Sequence, residues 1–154
     1  MNPEFIPLGF PSRARGPLAV THVTVVPMDA ERLLPDHTVL IDDGTIRIMG
    51  PSSQVDPGSA HIVNGSGNYL MPGLADMYCG FTDPADAILF LAHGVTLVRT
   101  SGGSPFVLAL ERAVERGEFP GPRIYTTSPT IDGVGPTGRT DMPGGVPLRS
   151  PDEA

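Results

Sequence analysis

Residues 68–82 read NYLMPGLADMYCGFT, and the rest of the chain is organised around this stretch. Three apolar residues lead into Pro72 and Gly73, which force a turn because proline fixes φ and glycine tolerates conformations that other residues avoid. The following run, residues 74–79, is mostly apolar and ends at Gly80. A run of this kind, bounded by turn signals, is typical of a strand buried on both faces. We therefore expect the architecture to change at this point.

The segment before this stretch has the pattern of an antiparallel sheet. Residues 18–26 (LAVTHVTVV) are rich in β-branched side chains, which favour strands. An Asp-Gly pair at residues 43–44 separates two further strand-like runs, and this pair is a strong hairpin signal. With a short fourth strand at residues 61–63, these runs predict an antiparallel β segment over residues 18–70.

Helix and strand signals alternate after the central stretch. A helix with Asp83 as N-cap and Pro84 at its first position ends at Gly94, and its apolar character on nearly every side predicts deep burial. A second helix begins with Ser104 as its N-cap. Further strands are predicted at residues 95–99 and 123–127.

The resulting β-α-β-α-β order predicts three parallel strands, adjacent in chain order and joined by right-handed crossovers. Residues 128–154 hold five Pro and five Gly and are predicted to form a loop and a ragged end. We therefore assign residues 71–154 to one α/β segment with a loop-rich C-terminal end.

Composition limits the classes of partner and compartment. The chain has 154 residues, a formal net charge of −7 and no basic run, so nucleic acid and anionic membranes are poor partners. The single cysteine excludes an internal disulfide, which predicts a reducing, cytoplasmic compartment. Residues 1–17 contain four prolines without hydrophobic periodicity and are predicted to be a flexible N-terminal arm.

Several sequence motifs of this chain resemble those of the amidohydrolase superfamily, particularly its imidazolonepropionase-like and prolidase-like branch. One motif of that family is G-x-x-x-x-PG-L-x-D-x-H-x-H. Its positions before the histidines are matched here by Gly67, Pro72, Gly73, Leu74 and Asp76. Residues 92–99 (AHGVTLVR) and 115–123 (ERGEFPGPR) resemble later family phrases in the same order. The match covers roughly residues 18–145.

This resemblance implies the N-terminal portion of the family fold. The antiparallel segment corresponds to one part of a β-sandwich beside the barrel. The segment after it corresponds to the first β-α-β-α-β of a TIM-like (β/α)8 barrel, which takes about 250 residues when complete. We therefore expect a partial sandwich followed by an incomplete barrel.

The two metal-binding histidines of the resembled motif fall on Tyr78 and Gly80. Family members use the metal, zinc for example, to turn water into a nucleophile. A phenol is a poor zinc ligand at neutral pH, and glycine offers no side chain. The later family ligands come from downstream strands, and this chain contains no lysine. We therefore expect no catalytic residue, no metal ligand and no cofactor in this chain.

Each of several other polar residues has two possible roles. Cys79 is either a nucleophile or, as we favour, a buried inert thiol. Asp76, Asp83 and Asp86 form either a cation site or, as we favour for the last two, helix caps. The four histidines do not have the spacing of metal ligands such as H-x-H, and we predict that they are structural or solvated; they are His22, His37, His61 and His93.

Polar side chains also lie at the carboxyl ends of the predicted parallel strands, where barrel enzymes have their active sites. They either contact a ligand or cap the strand ends. The residues are Asp76, Arg99, Thr100, Ser101 and Thr127. The TSGGS loop at residues 100–104, just before a helix, is also a candidate anion cradle.

Three functions are compatible with these patterns. The chain is an amidohydrolase-like protein that resembles metal-dependent hydrolases of carbon–nitrogen bonds in small molecules but is not expected to be catalytic as it stands. The alternatives are a degenerate binding or assembly module, and a truncated product without independent function. Open, apolar edges of an incomplete barrel predict self-association or a partner chain that completes it.

Overall fold

The computed structural model describes residues 16–134 and 145–153, so most of the predicted N-terminal arm lies outside the described residues. The fold is mixed α/β. Its strands are β1 (Leu18–Val25), β2 (Leu34–Asp42), β3 (Thr45–Pro51), β4 (His61–Asn64), β5 (Tyr69–Leu70), β6 (Leu74–Cys79), β7 (Val95–Thr100), β8 (Arg123–Tyr125), β9 (Ile131–Gly133) and β10 (Val146–Leu148). Its helices are α1 (Ala85–Ala92) and α2 (Pro105–Glu115), with a 3-10 turn at Pro151–Glu153. The chain divides into two compact units between Pro72 and Gly73.

The first unit is built on the predicted hairpin. β2 pairs antiparallel with both β1 and β3. Asp43 and Gly44, between β2 and β3, have φ values of 48° and 67°. Positive φ at both central residues is the requirement of a tight hairpin turn whose twist matches its strands, which explains the Asp-Gly pair. The core of this unit contains Val23, Val25 and Val39.

The prediction that the whole of residues 18–70 is antiparallel is wrong. The strand order is β3-β2-β1-β4, and both β4 and β5 pair parallel with β1. After β3 the chain crosses to the free edge of β1 instead of turning back in a hairpin. Gly65 then passes close to β1, because a Cβ built on it would lie 2.7 Å from the Cβ of Val23. Such a crossover leaves no local turn signal of the kind that marks a hairpin.

The second unit contains the parallel sheet that the alternating pattern predicts. Its strands lie in the order β6-β7-β8, and both pairings are parallel, which confirms the predicted arrangement of adjacent strands. A close approach explains the Pro-Gly turn before β6: a Cβ on Gly73 would lie 2.0 Å from Oγ1 of Thr96. Helices α1 and α2 occupy the two connections.

One face of this sheet packs against the helices. Val98 of β7 and Ile124 of β8 are buried with α2 residues Leu110 and Ala113 in a single core. Phe81 and Phe90 meet edge to face, with ring centroids 5.5 Å apart.

Helix α2 has the predicted cap, whereas α1 begins one residue later than predicted. Ser104 is the N-cap of α2, and its side chain accepts a hydrogen bond from the Val107 N–H. In α1 the N-cap is Pro84 instead of Asp83. The Asp83 carboxylate still caps the helix by accepting from the Ala85 N–H at 2.8 Å.

The predicted deep burial of α1 is wrong. Among its residues only Ala87 is buried, while Leu89 is 56% and Leu91 is 37% exposed. The helix contacts the sheet on one side only, so the apolar pattern on its other side has no covering layer in the described part of the chain.

The C-terminal stretch contains elements that the sequence pattern does not predict. β9 and β10 form a parallel two-stranded sheet, and the 3-10 turn follows them. Each strand has three residues, which is too short for hydrophobic periodicity to register. Residues 135–144, between these strands, lie outside the described part.

Candidate functional site

The carboxyl ends of β6, β7 and β8 lie at one edge of the parallel sheet. The Ser101 N–H donates to the Cys79 carbonyl oxygen at 2.9 Å, which joins the ends of β6 and β7. The Gly102 N–H donates to Oγ1 of Thr127 at 3.1 Å, which joins β7 to the segment after β8. The structure thus brings the predicted strand-end residues to one edge, although individual side chains differ in direction.

Asp76 stabilises the end of β6. One of its carboxylate oxygens accepts a hydrogen bond from the Tyr78 N–H at 3.0 Å. The Tyr78 side chain is 73% exposed, and a Cβ built on Gly80 would meet nothing within 4 Å. The two positions that resemble the family's histidine pair therefore hold an exposed phenol and open space.

Cys79 is a half-buried thiol packed against the core of the second unit. Its sulfur lies 3.7 Å from the Arg99 carbonyl oxygen. Burial raises the pKa of the Cys79 thiol, and the negative charge of Asp76 raises it further. A thiol with a raised pKa is protonated at neutral pH and is a poor nucleophile and metal ligand.

Thr100 is not an exposed contact for a ligand. Its side chain is 1% exposed, on the same side of β7 as the buried Val98. Its hydroxyl is buried and has no hydrogen-bond partner among the described residues. Strand alternation places this predicted site residue on the helix-covered face of the sheet.

The TSGGS loop uses its amides internally. The Gly102 N–H is bound by the Thr127 hydroxyl, and the Gly103 N–H donates to the Ser128 carbonyl oxygen at 2.9 Å. A Cβ on Gly103 would lie 1.9 Å from the Thr127 carbonyl oxygen, so only glycine fits. These two amides are therefore already occupied and cannot cradle an anion, and Thr127 has a structural hydrogen bond.

Arg99, like Ser101, is an exposed member of the predicted site residues. It is exposed and pairs in register with Tyr125, which is 50% exposed. Sequence reasoning missed Tyr125 and its neighbour Arg123, which is also exposed. The alternation of the RIY run, with a buried Ile124 between two exposed residues, was the available signal.

Three histidines make side-chain hydrogen bonds. Nδ1 of His22 lies 2.7 Å from a carboxylate oxygen of Asp36, and both side chains are exposed. The imidazoles of His37 and His93 hydrogen-bond to the backbone carbonyl oxygens of Pro35 and Leu89, each at 2.8 Å. Within residues 16–134 and 145–153, no three His, Cys, Asp or Glu side chains come together in a way that could hold a metal ion.

An open groove of about 490 Å³ lies beside α1, away from most of the strand-end residues. Its lining is largely apolar and consists of Gly80, Thr82, Asp86, Leu89, Phe90, His93 and Val95. The carboxylate of Asp86 is occupied there by the N–H groups of Thr82 and Asp83. This groove therefore offers apolar surface and few free polar groups.

None of the helices in the described residues has the length and hydrophobicity needed to cross a membrane.

Solved structures share this fold, although no protein-family model and no curated protein sequence matches the chain. A protein assigned as a prolidase from Bifidobacterium longum is 29% identical, with a TM-score of 0.77 over 91% of this chain and 35% of its own. An amidohydrolase is 26% identical, with a TM-score of 0.61 over 76% of this chain and 32% of its own. Molinate hydrolase, at 19% identity and a TM-score of 0.70 over 80% of this chain and 32% of its own, is similar in fold. The chain spans about a third of the length of these structures.

Proposed function

Because this chain has part of the amidohydrolase-superfamily fold, we propose that it comes from a protein related to hydrolases of carbon–nitrogen bonds in small molecules, and that its own residues do not form the catalytic metal site. The absence of a metal site in the proposal rests on the residues at the end of β6. An exposed phenol at Tyr78 and a bare backbone at Gly80 occupy the two positions of the resembled histidine pair.

The donor chemistry at this edge does not fit a zinc ion. Tetrahedral zinc sites use thiolate, imidazole or carboxylate ligands. Here the Cys79 thiol has a raised pKa, and the Asp76 carboxylate accepts from the Tyr78 N–H. The nearest groups are thus a phenol, a protonated thiol and one engaged carboxylate, which is too few ligands. These groups therefore do not form a catalytic zinc site.

The finer architecture is also part of the proposal. We assign residues 18–70 to one part of a composite β-sandwich and residues 71–154 to the first three strands of a (β/α)8 barrel. The parallel order β6-β7-β8 with intervening helices supports the barrel assignment. Exposed Ile46 and Ile48 on β3, 63% and 48% exposed, support a further layer over the first unit.

A second candidate function is that of an assembly module, and the edge at β6 favours it. Parallel sheets occur almost only with both faces covered. β6 ends the sheet at one side and exposes Leu74 and Met77, while Leu89 of the neighbouring α1 is also exposed. We propose that this surface is covered by self-association or by a partner chain that extends the sheet.

Metal titration tests the proposed loss of the metal site. After dialysis against a chelator and then against buffer, we expect elemental analysis to find well below one zinc per chain, and calorimetric titration to find no stoichiometric binding. Cys79→Ser serves as a control, because it removes any weak binding through the thiol. One tightly held zinc per chain that survives in Cys79→Ser would overturn the proposal.

A further inference from the structure

Asn64 and Gly65 form an Asn-Gly pair at the point where β4 ends. Such a pair is chemically labile, because the backbone nitrogen that follows an asparagine can attack the side-chain amide of that asparagine. Glycine hinders this attack least and gives the backbone the widest choice of conformations for it. The pair is therefore a candidate site of deamidation, a modification that the functions proposed above do not involve.

Deamidation of this pair needs only water and hydroxide. The Gly65 nitrogen loses its proton to hydroxide and bonds to Cγ of Asn64, and the bond from Cγ to Nδ2 breaks. Ammonia leaves with a proton from water, which restores the hydroxide, and a succinimide ring remains. Water then adds to either ring carbonyl group and opens the ring. The product is aspartate when the original main chain is kept, and isoaspartate when the side chain becomes part of the main chain.

The fold engages both reacting groups in other bonds. The Gly65 N–H donates to the Thr21 carbonyl oxygen on β1 at 2.7 Å, and Gly65 is buried. Oδ1 of Asn64 accepts from the N–H of Ser66 at 3.0 Å and from the Ser66 hydroxyl at 2.7 Å. Ring closure therefore requires the nitrogen to give up its bond to Thr21 and the Asn64 side chain to turn away from Ser66.

The bond between Gly65 and Thr21 is the restraint that decides the rate. The donors of Ser66 hold the Asn64 side chain, but they also stabilise the negative charge that develops on Oδ1 during the attack. The bond to Thr21 has no such opposite effect, because it keeps the proton on the attacking nitrogen. The nitrogen is also held in a closely packed position, since a Cβ built on Gly65 would lie 2.7 Å from the Cβ of Val23.

We propose that Asn64 is a deamidation site controlled by the pairing of β4 with β1. It is protected while Gly65 is bound to Thr21, and it reacts when the end of β4 detaches from β1. Both partners of every restraining bond lie within residues 21–66, so this control does not depend on any further strand or layer. The site lies in the unit that contains none of the strand-end residues described above.

The two products should differ in their effect on the fold. Aspartate keeps the main chain, and its carboxylate accepts the same two hydrogen bonds from Ser66. Isoaspartate lengthens the main chain by one carbon atom at the start of a connection that is fixed at both ends. On β1, Thr21 fixes one end of this connection between β4 and β5, and Thr24 fixes the other. Isoaspartate should therefore displace one of the two pairings from its register.

Peptide mapping by mass spectrometry tests the protection in the intact chain during incubation at mildly alkaline pH. The reference is an unstructured peptide of residues 59–70 under the same conditions. We expect deamidation at Asn64 to be at least about tenfold slower in the chain, because only the opened fraction reacts. Asn68 is the internal control, since the side chain of Tyr69 hinders the attack in both samples. Equal rates at Asn64 in the chain and the peptide would overturn the proposal.

Two proline variants test whether the pairing with β1 is the cause. The N–H groups of His61 and Gly65 both donate to β1, so alternation directs the N–H of Val63 to the same side. Val63→Pro removes that donor and should speed deamidation of the chain by about fivefold or more. Ile62→Pro is the matched control, because alternation directs its N–H away from β1. Equal acceleration by both variants would show that this pairing is not the cause.

The unmodified chain provides the same test without any variant. Exchange of the Gly65 amide hydrogen for deuterium, followed by NMR, measures the opening of its bond to Thr21. Urea below the global unfolding transition should raise this exchange rate and the deamidation rate at Asn64 by the same factor. A deamidation rate that stays constant while the Gly65 exchange rate rises would refute control by this bond.

Thermal melts compare the two products. Asn64→Asp reproduces the aspartate product and should melt close to the unmodified chain. The isoaspartate form, separated by chromatography, should melt at a lower temperature, and equal melting temperatures would contradict the displaced register. Metal content and hydrolase activity do not enter these tests, so their failure is distinct from a failure of the proposed function.

Discussion

The hydroxyl of Thr126 donates a 2.7 Å hydrogen bond to a carboxylate oxygen of Glu111 and thereby joins the end of β8 to helix α2. Both side chains are half-buried, so solvent screens the bond less than it would at the surface. Gly103 also depends on this arrangement, because its backbone approaches the methyl group of Thr126 and the carbonyl of Thr127. The contact therefore holds the end of β8 against helix α2.

Breaking this hydrogen bond should destabilise the second unit. We expect Thr126→Val and Glu111→Ala each to lower the free energy of unfolding, with a coupling of about 1.5 kcal/mol in a double-mutant cycle, because hydrogen bonds to charged groups are stronger than neutral ones. Urea denaturation measures the free energy of unfolding of the unmodified chain, the two single variants and the double variant. Glu115→Ala, on an exposed residue of the same helix, should show no coupling to Thr126→Val. Equal coupling in both cycles would contradict a direct bond.

The carboxylate of Asp86 should make stability depend on pH. Hydrogen bonds from the backbone N–H groups of Thr82 and Asp83 lower the pKa of this carboxyl. A carboxyl whose pKa is lower in the folded state stabilises the fold above its unfolded pKa, near 3.8, and this contribution is lost as pH falls through the folded value.

We therefore expect Asp86→Asn to be less stable than the unmodified chain by about 1 kcal/mol at pH 7, a typical value for a lost helix cap. The difference should shrink as the pH falls below 3.8. Thermal melts of both proteins between neutral and strongly acidic pH measure it. A difference that stays constant across the series would show that the charge of Asp86 is not the cause.

Gly103 should tolerate no side chain, whereas Gly80 should. A Cβ on Gly103 would lie 1.9 Å from the Thr127 carbonyl oxygen, which is a backbone atom and cannot rotate away. We expect Gly103→Ala to cost about 2–3 kcal/mol, in the range of overpacked sites. Gly80→Ala is the matched control, since nothing lies within 4 Å of its Cβ position. Similar melting temperatures for the two variants would refute the close approach.

The open position at Gly80 also permits a test of the family-like motif. The double variant Tyr78→His and Gly80→His restores the resembled histidine pair, and the space at Gly80 can accept the start of a side chain. We expect it to gain weak zinc affinity but to show little hydrolase activity, because two ligands do not make a catalytic site. Activity against amide substrates comparable to that of a complete enzyme would mean that other residues of this chain complete the site.

The apolar edge should drive association. Met77 on β6 and Leu89 on α1 are each 56% exposed. We expect light scattering after size-exclusion chromatography to find species larger than a monomer, and the double variant Met77→Glu and Leu89→Glu to shift them toward the monomer. Met28→Glu is the control, because Met28 is 64% exposed but lies in the other unit. A compact monomer with a sharp thermal transition would contradict this expectation.

Local signals predicted the local elements well. The Asp-Gly hairpin, the Ser104 cap of α2 and the parallel order of the three later strands all appear as the sequence indicates. Each depends on residues close together in the chain, or on an alternation of helix and strand that admits few topologies. The same reasoning failed for β9 and β10, which are too short to show a period.

The sequence by itself indicated the hairpin, most of the strands and both helices, and it placed Tyr78 and Gly80 at the positions of the resembled histidine pair. Only the tertiary structure decided that β4 and β5 run parallel to β1, that Thr100 faces the helices, and that Arg99 and Arg123 share an exposed face. Caps, turns and periodicity act over a few residues, which a sequence displays directly. Strand register and the side on which a residue emerges depend on which distant strands pair, and that choice is made by packing across the whole unit.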